Sequence, residues 1–499
     1  MATFADQSLP GRLLRANSAD VALAAARPRQ PCAAPPRAAP LPRPSIHGHG
    51  HSARGHSTHS ASATPAQISD LASWTQEASG AKAAVREEAD GSSLVASGAI
   101  SEGDEILAVP REMWVTAEDA RRRWGPRLEG LEAWAQVALL LVAERGDGGS
   151  RWRAYLEGLP ATPRSPVFWE GDRLAGLAGT QLMASCEGYR EYFSQRFVEL
   201  EAGVFKKYPE LFPSNVFTLE AWKWAVGTVR AQVHPPLEGE SLALVPVADL
   251  VCHSRNPNTE WRLSSGGFLS RGESLSLVAM RNISSEEVLS IDFGPDKLDS
   301  QVALDYGEVD VGTMKGGYVL TLTLPEDDPA FDDKIDILEL AGFGQSATFK
   351  LCPNEPLSTD MLAFLRLMYI SGADSFHLEA LFRNEAWNHV LAPLSEENER
   401  TICDTMIAGC RDALGQYKTN PSSDRAILSR RGAAIEEVLA AQIRLGEQEG
   451  VRATLEQFEQ RKFDLSKLDY YAERRLRDLG LLDEEGKSTY DGFMEDGIA

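Results

Sequence analysis

Short apolar runs separated by turn residues begin near residue 93. Leu94-Val95-Ala96 and Ile106-Leu107-Ala108-Val109 are bounded by Gly98, Gly103 and Pro110. Runs of that length and flanking predict strands, and the polar step Ser101-Glu102-Gly103-Asp104 predicts that they form a hairpin. The spacing changes over residues 117–235. Leu131, Trp134, Val137, Ala138 and Leu141 recur at three- and four-residue steps, as do Trp222, Ala225, Val226 and Val229, which predicts helices. Strand character returns at 242–247, 275–280 and 288–291.

Beyond residue 309, runs at 318–324 and 347–351 predict two more strands, after which helices dominate. Ser395 followed by Glu396 and Glu397 marks a helix start, with a capping hydroxyl and acids at the positive end of the dipole. Ile402, Met406, Cys410 and Leu414 then line one face. Residues 433–446 and 451–462 predict two charged amphipathic helices. A last helix, 464–482, carries Tyr470, Tyr471 and the run Arg474-Arg475-Leu476-Arg477. That run reads as a solvated face with its stems packed on neighbours, in preference to a contact for an acidic partner. No period recurs, so a solenoid is not supported. The expected organisation is α+β. A β-rich domain over 69–310 is split by a helical insertion at about 117–240, and a mostly helical lobe follows over 311–499.

Charge and composition narrow the function. The longest apolar run, 137–143, stops at Glu144, far short of the ~20 residues that span a bilayer. Net charge is −23, and residues 1–69 hold seven Arg and two Asp with no Lys or Glu, so the rest carries −28. Phosphate backbones repel such a body, which argues against direct nucleic-acid binding and for protein partners with basic or lysine-bearing segments. The six cysteines lie apart, at 32, 186, 252, 352, 403 and 410. They suggest neither a zinc site nor a disulfide framework, and a reducing compartment fits. Residues 1–68 are basic, acid-poor and rich in Ala, Pro and Ser, which reads as an organellar transit peptide. Composition leaves mitochondrion and chloroplast both open. The His47, His49, His51, His56, His59 tract lies in this leader and reads as low-complexity sequence, so no metal is placed there.

Three segments carry candidate chemistry. Gly91-Ser92-Ser93-Leu94 sets a glycine before a strand, where a ligand can approach backbone; a tight turn is the plain alternative. Residues 244–254 run a strand into an elbow bearing Asp249, Cys252 and His253. Neighbouring residues on a strand point to opposite faces, so a Cys–His nucleophile pair is disfavoured. Finally, Ser290-Ile291-Asp292-Phe293-Gly294 and Leu304-Asp305-Tyr306-Gly307 set aromatics beside glycine turns, as core or as channel walls.

Taken in this order, the segments resemble SET-domain protein lysine methyltransferases of the Rubisco large-subunit methyltransferase type, from plant and algal chloroplasts. The resemblance spans residues 85–485. It includes Val109-Pro110-Arg111-Glu112-Met113-Trp114, the Leu-Val-Pro-x-Ala-Asp-Leu elbow, Phe382-Arg383-Asn384-Glu385-Ala386-Trp387 and the run from Tyr470. It implies a SET domain split by the helical insertion, a C-terminal substrate-binding lobe and S-adenosylmethionine as cofactor. It also implies location in the chloroplast stroma and a protein acceptor such as the Rubisco large subunit.

The resemblance further implies roles for individual positions. Gly91, Ser92, Ser93, Leu94, Gln232, Cys252, His253 and Tyr306 would hold the cofactor. Ala231, Asp249, Phe293 and Glu308 would face the substrate lysine, with Phe293 and Tyr306 at the catalytic positions. Asp249, His253 and Tyr306 match the family pattern. Five positions depart from it: Ser93 stands for a glycine, Gln232 for an arginine, Cys252 for an asparagine, Phe293 for the catalytic tyrosine and Glu308 for an aromatic. An aligned polar group at a reacting centre is worth ~10²–10³ in rate. The departures therefore set an impaired methyltransferase against a degenerate SET protein that only binds partners.

Overall fold

The computed structural model describes residues 73, 80, 82–88, 91–233, 237, 242–264, 273–379 and 385–483, so residues 1–68, expected to be a transit peptide, and their histidine tract lie outside the described residues. The described elements begin with strands β1 (Ala83–Glu88), β2 (Gly91–Ala96), β3 (Glu105–Pro110) and β4 (Val115–Thr116). Six helices follow: α1 (Ala117–Trp124), α2 (Ala133–Arg145), α3 (Arg153–Gly158), α4 (Gly171–Ala175), α5 (Gln181–Leu200) and α6 (Leu219–Gln232). Strands return as β5 (Ala243–Leu244), β6 (Cys252–His253), β7 (Thr259–Ser264), β8 (Ser274–Ala279) and β9 (Ser290–Ile291), before α7 (Asp299–Tyr306). β10 (Tyr318–Thr323), α8 (Phe331–Leu340) and β11 (Ser346–Leu351) lead into α9 (Thr359–Met368), α10 (Ala386–Val390) and α11 (Glu396–Gly415). The described chain finishes with α12 (Pro421–Ser429), α13 (Ile435–Phe463) and α14 (Tyr471–Asp478). The α+β class and the helical interruption of the strands agree with the sequence pattern.

Strand pairing does not follow the expected hairpin. β2 folds back on β1, with Leu94 opposite Val85. β3 instead pairs antiparallel with β8, Leu107 opposite Leu277, and β8 takes the centre of a three-stranded sheet between β3 and β7. The Ser101–Asp104 turn does form, its Asp104 N–H donating to the Ser101 carbonyl. The partner of β3, however, lies some 170 residues on, a pairing that local turn chemistry does not report. Further along, Ser395 caps α11 as expected, its hydroxyl accepting from the Asn398 N–H, and Ile402, Met406 and Cys410 are buried. The two helices expected over 433–462 are one, α13. The expected last helix is shorter: a turn at Leu465–Lys467 and then α14.

Among the described residues, three apolar cores organise the fold. The strands enclose one around Leu94, Ile106, Trp114, Leu277 and Phe293. The inserted helices enclose a second, where Trp124, Phe205, Phe212 and Phe217 pack ring on ring. The third lies among β10, β11, α9, α11 and the second half of α13. Helix α13 joins the last two cores: Leu439, Ala440 and Ile443 sit in the second, Val451 and Phe458 in the third. Its middle passes so close to β10 and β11 that a Cβ at Gly446 would lie 2.6 Å from the Gly316 Cα. One at Gly450 would lie 2.2 Å from the Leu351 carbonyl oxygen.

Candidate active site

The elbow is built by threading one segment between two strands. The Leu289 N–H donates to the Leu94 carbonyl at 2.8 Å, and the Leu289 carbonyl accepts from the Cys252 N–H at 3.1 Å. β6 and β9 then pair in parallel, Cys252 opposite Ser290 and His253 opposite Ile291. Leu289 thereby brings the Gly91–Leu94 strand beside the Cys252-His253 pair. Gly91 to Leu94 lie within β2 rather than in a turn ahead of it, and the Ser93 side chain is buried. Ahead of Asp249, Val247 adopts φ +74°, a left-handed conformation that a β-branched residue rarely takes. The strain turns β5 sharply into the short 3-10 turn Ala248–Leu250 that carries Asp249.

Behind the elbow stand three rings. His253 and Phe293 have centroids 5.1 Å apart, and Phe293 and Tyr306 4.5 Å apart; all three are buried. The Phe293 N–H donates to His253 Nδ1 at 3.3 Å. Burial, helped by Arg255, lowers the His253 pKa, so the ring is neutral and its proton sits on Nε2. That Nε2 is buried without a hydrogen-bond partner among the described residues, an unspent donor.

Charged groups that sequence reasoning missed surround the rings. Lys297 Nζ donates to Tyr306 Oη at 3.3 Å and to Asp305 at 3.0 Å. Burial opposes the Lys297 ammonium, but Asp305 and Tyr306 outweigh it and hold its pKa above the usual value. Arg230 pairs with the same Asp305 and stacks 4.0 Å over the Tyr189 ring. The cation at this end of α6 is therefore Arg230. Ala231 and Gln232 are half-buried, and no hydrogen bond ties them to the rings among the described residues.

Glu308 does not stand as a bare charge. Arg164 lies 2.8 Å from its carboxylate, and Gly307, at φ +73°, allows the approach, since a Cβ there would lie 2.6 Å from Arg164. Burial raises the Glu308 pKa to about 7 against the opposing pull of Arg164. Burial likewise raises Asp249 to about 7, with the Tyr155 phenol facing it. Among the described residues, no three His, Cys, Asp or Glu side chains group as metal ligands, and no helix is long and apolar enough to cross a membrane.

Comparison with known proteins defines the class. The chain superposes on a crystal structure described as the SET domain of LSMT bound to lysine and AdoHcy. The TM-score is 0.79 at 32% identity, covering 85% of this chain and 98% of that one. Residues 325–449 match the family described as Rubisco LSMT substrate-binding. The strand-rich part, its helical insertion and the helical lobe are therefore those of a SET-domain protein methyltransferase. The chloroplastic [fructose-bisphosphate aldolase]-lysine N-methyltransferase of Arabidopsis thaliana is 35% identical over 401 residues, 80% of this chain and 83% of the relative. The chloroplastic ribulose-1,5 bisphosphate carboxylase/oxygenase large subunit N-methyltransferase of Pisum sativum is 35% identical over 406 residues, covering 80% and 82%. The chain belongs to this Rubisco large-subunit methyltransferase family of SET-domain lysine methyltransferases.

Proposed function

We propose that this protein is an S-adenosylmethionine-dependent protein-lysine N-methyltransferase of the chloroplast stroma, acting on a stromal protein such as the Rubisco large subunit. The single observation that carries the reading is the buried His253–Phe293–Tyr306 cluster, with a donor at His253 Nε2 that no described residue satisfies. A buried orphan donor suits a cofactor rich in ring-nitrogen acceptors. We assign the cofactor to Gly91, Ser92, Ser93, Leu94, Gln232, Cys252, His253 and Tyr306, and the lysine to Ala231, Asp249, Phe293 and Glu308. When bound, the cofactor supplies a methyl group made electrophilic by a sulfonium.

The residues of this chain orient the acceptor and manage its proton. Phe293 and Tyr306 offer apolar faces that keep water from a lysine side chain and favour its neutral form over the free pKa of ~10.4. Asp249, with a pKa raised to about 7, holds a proton better than an ordinary carboxylate. Tyr306 supplies the phenol of the pair, oriented by Lys297, because Phe293 has none. With the cofactor held by the β2 strand and the Cys252-His253 pair, these residues would align the neutral lysine nitrogen with the methyl group for in-line transfer. We further propose that residues 1–68 are a transit peptide removed on import, that 69–310 form the SET domain and that 311–499 form the substrate-binding lobe.

The missing hydroxyl at 293 supports a second reading, a SET protein that binds partners without turnover. Transfer of a radiolabelled methyl group to stromal extract, with calorimetry on residues 69–499, separates the two. Slow labelling at lysine supports the enzyme, and cofactor binding with no labelling supports the binding protein. Neither binding nor labelling refutes the assigned site. Mass spectrometry of the mature protein tests the leader: an intact stretch ahead of residue 65 refutes its removal.

A further inference from the structure

The basic run of α14 does more than coat the surface. Between α10 and α14 lies a cavity of about 450 Å³ lined by His389, Tyr471, Arg474, Arg475 and Arg477, with Asp469 and Asp478 at the same opening. Most of this lining falls outside the matched segment 325–449. The cations there are incompletely neutralised. Arg477 pairs with Asp469, but Arg474 spends its guanidinium on two backbone carbonyls, those of Pro393 and Asp469. Arg475 is exposed, and its guanidinium makes no ion pair or hydrogen bond among the described residues. In a chain of net charge −23, arginines lacking carboxylates on a concave surface stand out.

The neighbouring histidines report the same positive field. His377 and His389 face each other, Nδ1 to Nδ1, at 3.2 Å, and Tyr471 stands edge-on to His377 at 4.5 Å. Burial, then His389, then Arg474 lower the His377 pKa to about 4. His389 is lowered by burial and by Arg474 and Arg475, with Glu385 opposing. His389 and Tyr471 thus give the cavity an aromatic lining beside the arginines, with His377 buried behind them. Guanidinium groups match carboxylates in shape, and arginine with tyrosine supplies the anchors that dominate protein interfaces.

We propose that this cavity is a docking site for an acidic segment of a partner protein, its carboxylates held by Arg474 and Arg475 beside the His389–Tyr471 lining. The site lies apart from the ring cluster of the elbow, goes beyond the methyl-transfer reading and does not rest on it. Its test uses neither cofactor nor turnover. Fluorescence anisotropy of a labelled Glu-rich peptide containing one phenylalanine is measured on the full chain, alongside the same peptide with Gln in place of each Glu. The Glu peptide binds saturably and weakens as salt is raised, while the Gln peptide does not bind. Arg475→Glu lowers affinity about tenfold or more, the loss of one charge-assisted contact, while Arg475→Lys retains part of it and neither changes the melting temperature. Bound peptide also raises the His389 pKa, read by NMR, because it cancels the field of the arginines. Equal binding of the Gln peptide, or indifference to Arg475→Glu, overturns the proposal. Residues 484–499 contain five acids and one lysine. If peptide binds only after their removal, the occupant is this chain's own acidic tail and the assignment to a partner falls.

Discussion

Phe293 brings no polar group to the rings, while Lys297 donates to the Tyr306 phenol at 3.3 Å. We propose that Lys297 acts as a positioning residue for Tyr306. Lys297→Met is expected to lower methyl transfer about tenfold, with Lys297→Arg recovering part; an unchanged rate and pH profile in Lys297→Met would remove that role. Restoring Asn at 252, Arg at 232 and Tyr at 293 together is expected to recover cofactor binding, by calorimetry, before turnover, whereas Phe293→Tyr alone restores little. The carboxyls of Asp249 and Glu308 add a pH dependence. Both have folded pKa values near 7, above the unfolded ~4. The native state therefore binds more protons between pH 4 and pH 7, and these two groups contribute stability that is lost as pH rises through 7. Glu308→Gln is expected to flatten that slope in urea titrations, while removing the buried ion pair with Arg164 at a cost on the order of 2 kcal/mol. In the sequence the elbow and the aromatics at 293 and 306 are legible beside their glycine turns, while the departures at 93, 232, 252, 293 and 308 are what the resemblance implies. Arg164 and Arg230 are not legible, because each meets its carboxylate across 75 or more residues.

Elements set by local chemistry were read correctly, and those set by distant partners were not. α11 begins where Ser395 can cap it, and β10 and β11 alternate apolar and polar residues that bury one face each. The β2–β3 hairpin failed because β2 is held on one edge by β1 and through Leu94 by Leu289. α13 was split in two because its glycines resemble a breaker. Glycine inside a helix costs about 1 kcal/mol relative to alanine, yet at 446 and 450 it lets the helix touch backbone at 316 and 351. Gly450→Ala is therefore expected to destabilise by about 3 kcal/mol, as overpacking against a carbonyl does. Gly415→Ala, with open space around its Cβ, is expected to be neutral or slightly stabilising. Urea denaturation of the two variants decides it, and equal effects would deny that close approach explains these glycines.

At the scale of the molecule, the elbow and the C-terminal lobe share a buried carboxylate. Asp299 accepts from Arg255 at 3.1 Å, from the Lys315 N–H at 2.9 Å and from Gln442 of α13 at 2.8 Å. Arg255 in turn reaches Asp292, next to Phe293. α13 also lends Leu439 and Ile443 to the core of the inserted helices. The lobe proposed to bind substrate is thus wedged into the catalytic half, and the two are expected to unfold together. Expressed alone, residues 311–499 would expose Leu439 and Ile443 to water and lose roughly 1.5–3 kcal/mol for each. That fragment is expected to be less stable than the same segment in the whole protein and prone to associate, and Leu439→Gln with Ile443→Gln to keep it monomeric. Asp299→Ala takes one of two carboxylates from the Arg255 guanidinium and one of two acceptors from the Gln442 amide, leaving the Asp310 carbonyl. Calorimetry of Asp299→Ala is then expected to split a single unfolding transition into two, the lobe melting separately. A single transition retained at lower temperature would locate the coupling in the shared apolar packing of α13 and not in this carboxylate.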